Sequence, residues 1–210
     1  MNTLDPRDAN QPSMHADLAF LRALAEGDGG RAQHATGAAF IAGGGLYGLQ
    51  CIVFSAHAFG LIHLGDLFSA VFSFAITAAF LLALTWILTR NSARPSAGVA
   101  ARALTAAFGG AGAATVAMLC IFGYMAWREQ SLTIWFLYPC TVFALQGAAW
   151  MVAFSLRRKR WIGMVAAGWL VSSVLLALSI GSPAYPLVAG IALLGLMALP
   201  GVLMLRDASH

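Results

Sequence analysis

Three residues capable of coordination or proton chemistry stand close together in "SAHAFGLIHLGDLF", residues 55–68: His57, His63 and Asp66. Two imidazoles and a carboxylate in apolar sequence invite a metal or haem reading. Spacing argues against it. A metal site needs three or four converging ligands, and a bis-histidine haem needs two rings facing one pocket. On a continuous helix, six residues turn the ring direction by about 120°. The stretch reads better as the wet end of a hairpin, with His57 at the membrane interface and Asp66 capping the helix that begins "LFSAVF". No cofactor and no metal ligand is assigned.

"GGGLYG", Gly43–Gly48, formally matches GxGxxG. That motif binds dinucleotides when it joins a strand to a helix. Here it lies inside an apolar run, and packing is the physical reading. Gly44 and Gly48 form GxxxG, which lets two helix backbones approach closely. "AFGGAGAA" offers a complementary small face through Ala106, Gly110 and Ala113.

Gln50 and Gln146 are the most polar residues at membrane depth, too far apart in depth to bond each other. Each amide needs another partner, because an unsatisfied amide in lipid is costly. Tyr47 shares a helix face with Gln50, and Trp150 shares one with Gln146. With Trp169 these residues define either interhelical contacts or a pathway for a weakly polar solute. Absences narrow the chemistry further. There is no Walker A sequence, HExxH or GxSxG. No carboxylate pair lies at membrane depth for acid–base work, and with His57 placed at the interface no ionisable residue is inside the spans to couple protons.

Elements that position these residues follow from composition. Of 210 residues, 60% are hydrophobic and 10% charged, against roughly 45–50% and about 25% in soluble domains. Apolar runs at 37–60, 67–88, 103–126, 132–154, 161–180 and 186–205 contain no Asp, Glu, Lys or Arg. Each has about 20 residues or more, enough at about 1.5 Å rise to cross roughly 30 Å of hydrocarbon. Backbone groups in lipid must bond within their own segment, so the spans are helical. The expected fold is all-α, an integral membrane bundle of six transmembrane helices. The expected organisation is a tail over 1–36, a six-helix domain over 37–206 and a short tail over 207–210.

Orientation follows the Lys and Arg count. Eleven of the twelve lie in the N-terminal tail, the second and fourth loops and the C-terminal tail, and Arg128 alone lies on the other side. Both termini are expected in the cytoplasm, in the plasma (inner) membrane. The net charge of +4 thus reflects topology, and no nucleic-acid partner is needed to explain it. The polar N-terminus is unlike a cleavable signal peptide. Cys51, Cys120 and Cys140 fall inside spans without CxxC spacing, so no disulfide framework is expected.

Within the tail, residues 1–13 are expected to be disordered. Residues 14–26 read as a short amphipathic helix with Leu18, Leu21 and Ala25 at helical spacing, widened by Phe20 and Leu24, and stopped by "GDGG". Its charged residues Asp17, Arg22 and Glu26 suit a protein surface better than anionic lipid, so Leu18, Phe20, Leu21 and Leu24 are expected to contact either the chain's own inner loops or a separate cytoplasmic protein partner. Weak echoes also exist. "AAF" ends at Phe40 and at Phe108, and Tyr138-Pro139 and Tyr185-Pro186 are both expected at the entrance to a helix.

The function expected is that of a non-enzymatic accessory or regulatory protein working through helix packing and the N-terminal helix, with the lipid bilayer as its setting. The alternatives are a small permease or channel and, less favoured, a haem- or metal-binding membrane subunit. Oligomeric state is not legible.

Overall fold

The computed structural model describes residues 29–90 and 99–208, with side chains over 34–90 and 102–206. The amphipathic helix expected over 14–26, its contact residues Leu18, Phe20, Leu21 and Leu24, and the disorder expected over 1–13 lie outside the described residues. Secondary structure in the described residues is entirely helical. Five helices come first: α1 (Gly29–Ala58), α2 (Asp66–Arg90), α3 (Val99–Glu129), α4 (Leu132–Arg157) and α5 (Arg160–Leu178). The sixth span is a composite of α6 (Tyr185–Leu193), a π-helical turn (Leu194–Ala198) and α7 (Leu199–Ala208). Six segments are long and apolar enough to cross a membrane. This is the architecture of a multi-pass membrane protein.

The six spans match the six apolar runs, with helices overrunning the lipid-length windows. α1 begins at Gly29, eight residues before the apolar run at 37. An intact helix satisfies its own backbone, so nothing obliges it to end where the apolar run does. Asp66 is the first residue of α2, one position inside the cap expected for it. There its carboxylate still faces the positive end of the helix dipole.

Side-chain contacts run antiparallel between neighbours. Gly37 meets Gly201, Gly44 meets Ala198 and Gly48 meets Leu194 between α1 and the sixth span. Gly147 meets Leu170 and Gly163 meets Phe154 between α4 and α5. The principal packing order is α2, α1, sixth span, α5, α4, α3. Ends of this series differ from its middle. Ile76 and Ile87 are the buried residues of α2, and Ala111 is the single buried one on α3 among the described residues. By contrast, α4 buries Cys140, Phe143, Gly147, Ala149, Trp150 and Ala153.

Phe40, Phe108 and Trp150 draw α1, α3 and α4 together at the end carrying the Arg157–Arg160 loop. Phe40 stacks on Trp150 with ring centroids 5.6 Å apart, and Phe108 meets the same indole edge-on at 5.5 Å. The two phenylalanines touch each other at 5.5 Å. Thus the phenylalanines that end "AAF" in α1 and α3 converge on one tryptophan. Trp161 closes the cluster from α5, 6.2 Å from Trp150.

Candidate functional site

The histidine that suggested a ligand is part of the hairpin's own structure. After α1 ends, the chain turns through Gly60 at φ 73°, a left-handed conformation that glycine adopts without a Cβ clash. Leu64 N–H lies 3.2 Å from His57 Nδ1, and the Ile62 carbonyl lies 3.1 Å from the same nitrogen. With its proton on Nε2, the ring accepts the Leu64 N–H. The ring therefore bridges seven residues of turn. His63 and Asp66 are exposed beyond it. No group of three or more His, Cys, Asp or Glu residues converges among the described residues.

Gly44 and Gly48 do lie against another helix, but the partner is the sixth span. A Cβ on Gly44 would sit 2.6 Å from the Ala198 nitrogen and 2.9 Å from the Leu193 carbonyl, both backbone atoms. One on Gly48 would strike the Leu194 side chain at 2.7 Å. The complementary face expected on α3 is not there. Ala106, Gly110 and Ala113 are exposed, and a Cβ on Gly110 would meet nothing within 4 Å. The reason is topological: α1 lies between α2 and the sixth span, and it approaches α3 through the bulky ring of Phe40. On the sixth span, the small residues Gly190, Ala198 and Gly201 complete the close contact with α1.

Tyr47, Gln50, Gln146, Trp150 and Trp169, expected to share a polar lining or interhelical contacts, are dispersed among separate contacts. Gln50 Nε2 donates to Ser73 Oγ on α2 at 3.0 Å, and that hydroxyl donates onward to the Ser69 carbonyl at 2.9 Å. Tyr47 packs edge-on against Phe80 at 5.4 Å. Gln146 is partly buried on α4. Trp150 is 1% exposed and lies inside the aromatic cluster already described. Trp169, 2% exposed, packs against Phe143 at 4.8 Å and donates its indole N–H to the Leu196 carbonyl at 3.2 Å.

That last bond has a local cause. In an α-helix the Leu196 carbonyl would accept from residue 200, which is proline and has no N–H. The helix also widens just before it, with Leu199 N–H bonding the Leu194 carbonyl five residues back, the π pattern. An orphaned carbonyl in a buried span is costly, and Trp169 supplies the donor from α5.

Pro139 marks a second irregularity. It lies inside α4, well past the helix start at Leu132, and not at the entrance expected for it. Pro186 does sit at the start of α6, where its missing N–H leaves no helical bond unmade. Next to Pro139, the Phe136 carbonyl accepts the Tyr185 hydroxyl at 2.7 Å and the Cys140 thiol at 3.4 Å. One turn deeper, Ser173 Oγ of α5 donates to the Cys140 carbonyl at 2.7 Å. Sequence reasoning did not single out Ser173 or Leu196, and it named Tyr185 only as the neighbour of Pro186. For Leu196 the available signal was Pro200, which leaves the carbonyl four residues earlier without a helical donor. Pro139 does the same for Trp135, so it did not point to the Phe136 and Cys140 carbonyls that Tyr185 and Ser173 reach.

These contacts form a set of latches. Side-chain donors on one helix are fixed to main-chain carbonyls of another at or beside a helix irregularity. They hold α4, α5 and the sixth span in register, but they offer neither a nucleophile with a base nor a converging ligand set. No protein-family model, curated protein or solved structure matches the chain.

Proposed function

We propose that this chain is a non-enzymatic accessory or regulatory protein of the plasma (inner) membrane that acts by helix packing, with both termini in the cytoplasm. One observation carries the reading: the interior tryptophans and Gln50, which a solute pathway would need to leave free, are spent on contacts between helices. Trp150 fills the junction of four helices, Trp169 is tied to Leu196, and Gln50 is tied to Ser73. The flanking helices add support. α2 and α3 bury few residues within the chain, and α3 exposes Val116, Leu119, Ile121, Tyr124 and Trp127. Faces of this kind suit either lipid or the helices of a partner. The charge bias supports the orientation, since Arg90, Arg102, Arg157, Arg158, Lys159, Arg160 and Arg206 cluster at one end of the bundle and Arg128 stands at the other.

Extraction into lipid nanodiscs without detergent exchange, followed by mass spectrometry of the captured particles, tests the proposal. A stoichiometric protein partner, lost when bulky residues replace Ala106, Gly110 and Ala113 on α3, is the expected result. Solute flux in liposomes holding the pure chain, abolished by Gln146→Leu, would replace it with the permease reading.

A further inference from the structure

The last two turns of α2 carry a feature that the packing does not use. Leu82, Ala83, Thr85, Trp86 and Thr89 line an open groove of about 570 Å³. Leu82 and Trp86 are exposed, at 72% and 57%. Arg90 follows Thr89 in the chain, with its guanidinium carbon 4.4 Å from the centre of the Trp86 ring that lines the groove. Such a cation–π contact holds a flexible arginine in one place and leaves its N–H edge available. Arg90 has no carboxylate partner, and the Trp86 indole N–H no acceptor, among the described residues. The threonines bring no free donors. Thr85 gives its hydroxyl proton to the Leu81 carbonyl and Thr89 to the Trp86 carbonyl.

We propose that this groove binds one anionic phospholipid. The headgroup phosphate takes the Arg90 guanidinium and the indole N–H, two donors at one end. An acyl chain lies along Ala83 and Leu82 toward the middle of the span. The order of chemistry along the groove decides between a lipid and a free phosphate. Moving inward from the cation, the lining passes from an indole and two threonines to leucine over about 12 Å of helix, the polarity gradient of an amphiphile. A soluble anion would leave the leucine end unoccupied. A zwitterionic lipid would bring its own cation to compete for the phosphate.

Native mass spectrometry of the full chain in detergent tests the assignment, with phosphatidylglycerol and phosphatidylcholine of matched acyl chains offered together. Wild type should retain one phosphatidylglycerol in preference to phosphatidylcholine. Arg90→Gln should weaken that retention about fivefold, the effect of one basic residue at a lipid surface. Trp86→Leu should weaken it too, since it removes both the N–H and the ring that holds the guanidinium. Arg128→Gln, the same charge change at the other end of the bundle, should leave it unchanged. Both α2 side chains are exposed, and an unshifted melting temperature confirms that each variant is folded. Arg90→Lys keeps the charge but not the planar fork, and should fall between wild type and Arg90→Gln. Equal retention of the two lipids by wild type would overturn the proposal. So would undiminished retention by Arg90→Gln, or complete displacement of phosphatidylglycerol by inorganic phosphate.

Discussion

Replacing Trp169 with Phe removes the indole N–H that reaches the Leu196 carbonyl while keeping a ring against Phe143. Hydrogen bonds between membrane helices average about 0.6 kcal/mol and reach about 1.7. Leaving a buried acceptor without a donor costs about 1–3 kcal/mol. This carbonyl is part-buried and its own helical donor is missing, so the upper part of the first range applies, roughly 1–1.7 kcal/mol, plus whatever the smaller ring loses in packing. The packing loss can be separated. Pro200→Ala restores an N–H at residue 200 and offers the Leu196 carbonyl a helical partner. Trp169→Phe should then cost about 1 kcal/mol less on the Pro200→Ala background than on the native one, because the packing loss is common to both. Pro200 is fully buried, so the substitution has its own cost, which the double-mutant cycle cancels. Reversible unfolding in mixed detergent or bicelles, followed by tryptophan-independent circular dichroism, measures all four proteins. A coupling energy of zero would refute the idea that Trp169 serves the carbonyl that Pro200 leaves without a helical donor.

Gly44→Leu should destabilise the bundle at or above the upper end of the roughly 1–3 kcal/mol typical of overpacking, because its Cβ meets backbone of the sixth span. Gly110→Leu should be nearly neutral in the same unfolding measurement, since its Cβ enters open space. His57→Ala should leave bound metal and visible absorption unchanged and speed hydrogen exchange at the Leu64 amide; loss of a stoichiometric metal or haem band would revive a ligand role. Reporter fusions after Arg158 should read as cytoplasmic and those at Gly181 as external, and an external signal at Arg158 would reverse the orientation.

Segments free of charge and long enough for a bilayer were legible from the chain alone, because every residue of a span bears that constraint locally. The same holds for the hairpin after α1, where glycine, histidine and aspartate follow one another, and for Pro186, whose place at a helix start needs only its immediate neighbours. Which helix meets Gly44 was not legible. Small residues on the sixth span and on α3 carry the same signal, and only the packing order puts Ala198 and Gly201 beside α1 while leaving Gly110 exposed. Trp169 illustrates the other limit. Its indole could line a path or satisfy a carbonyl, and the deciding atom lies 27 residues away, opposite a proline. A proline in a span announces an orphaned carbonyl nearby, but the donor comes from whichever helix is packed against it, and that is a property of the tertiary structure alone.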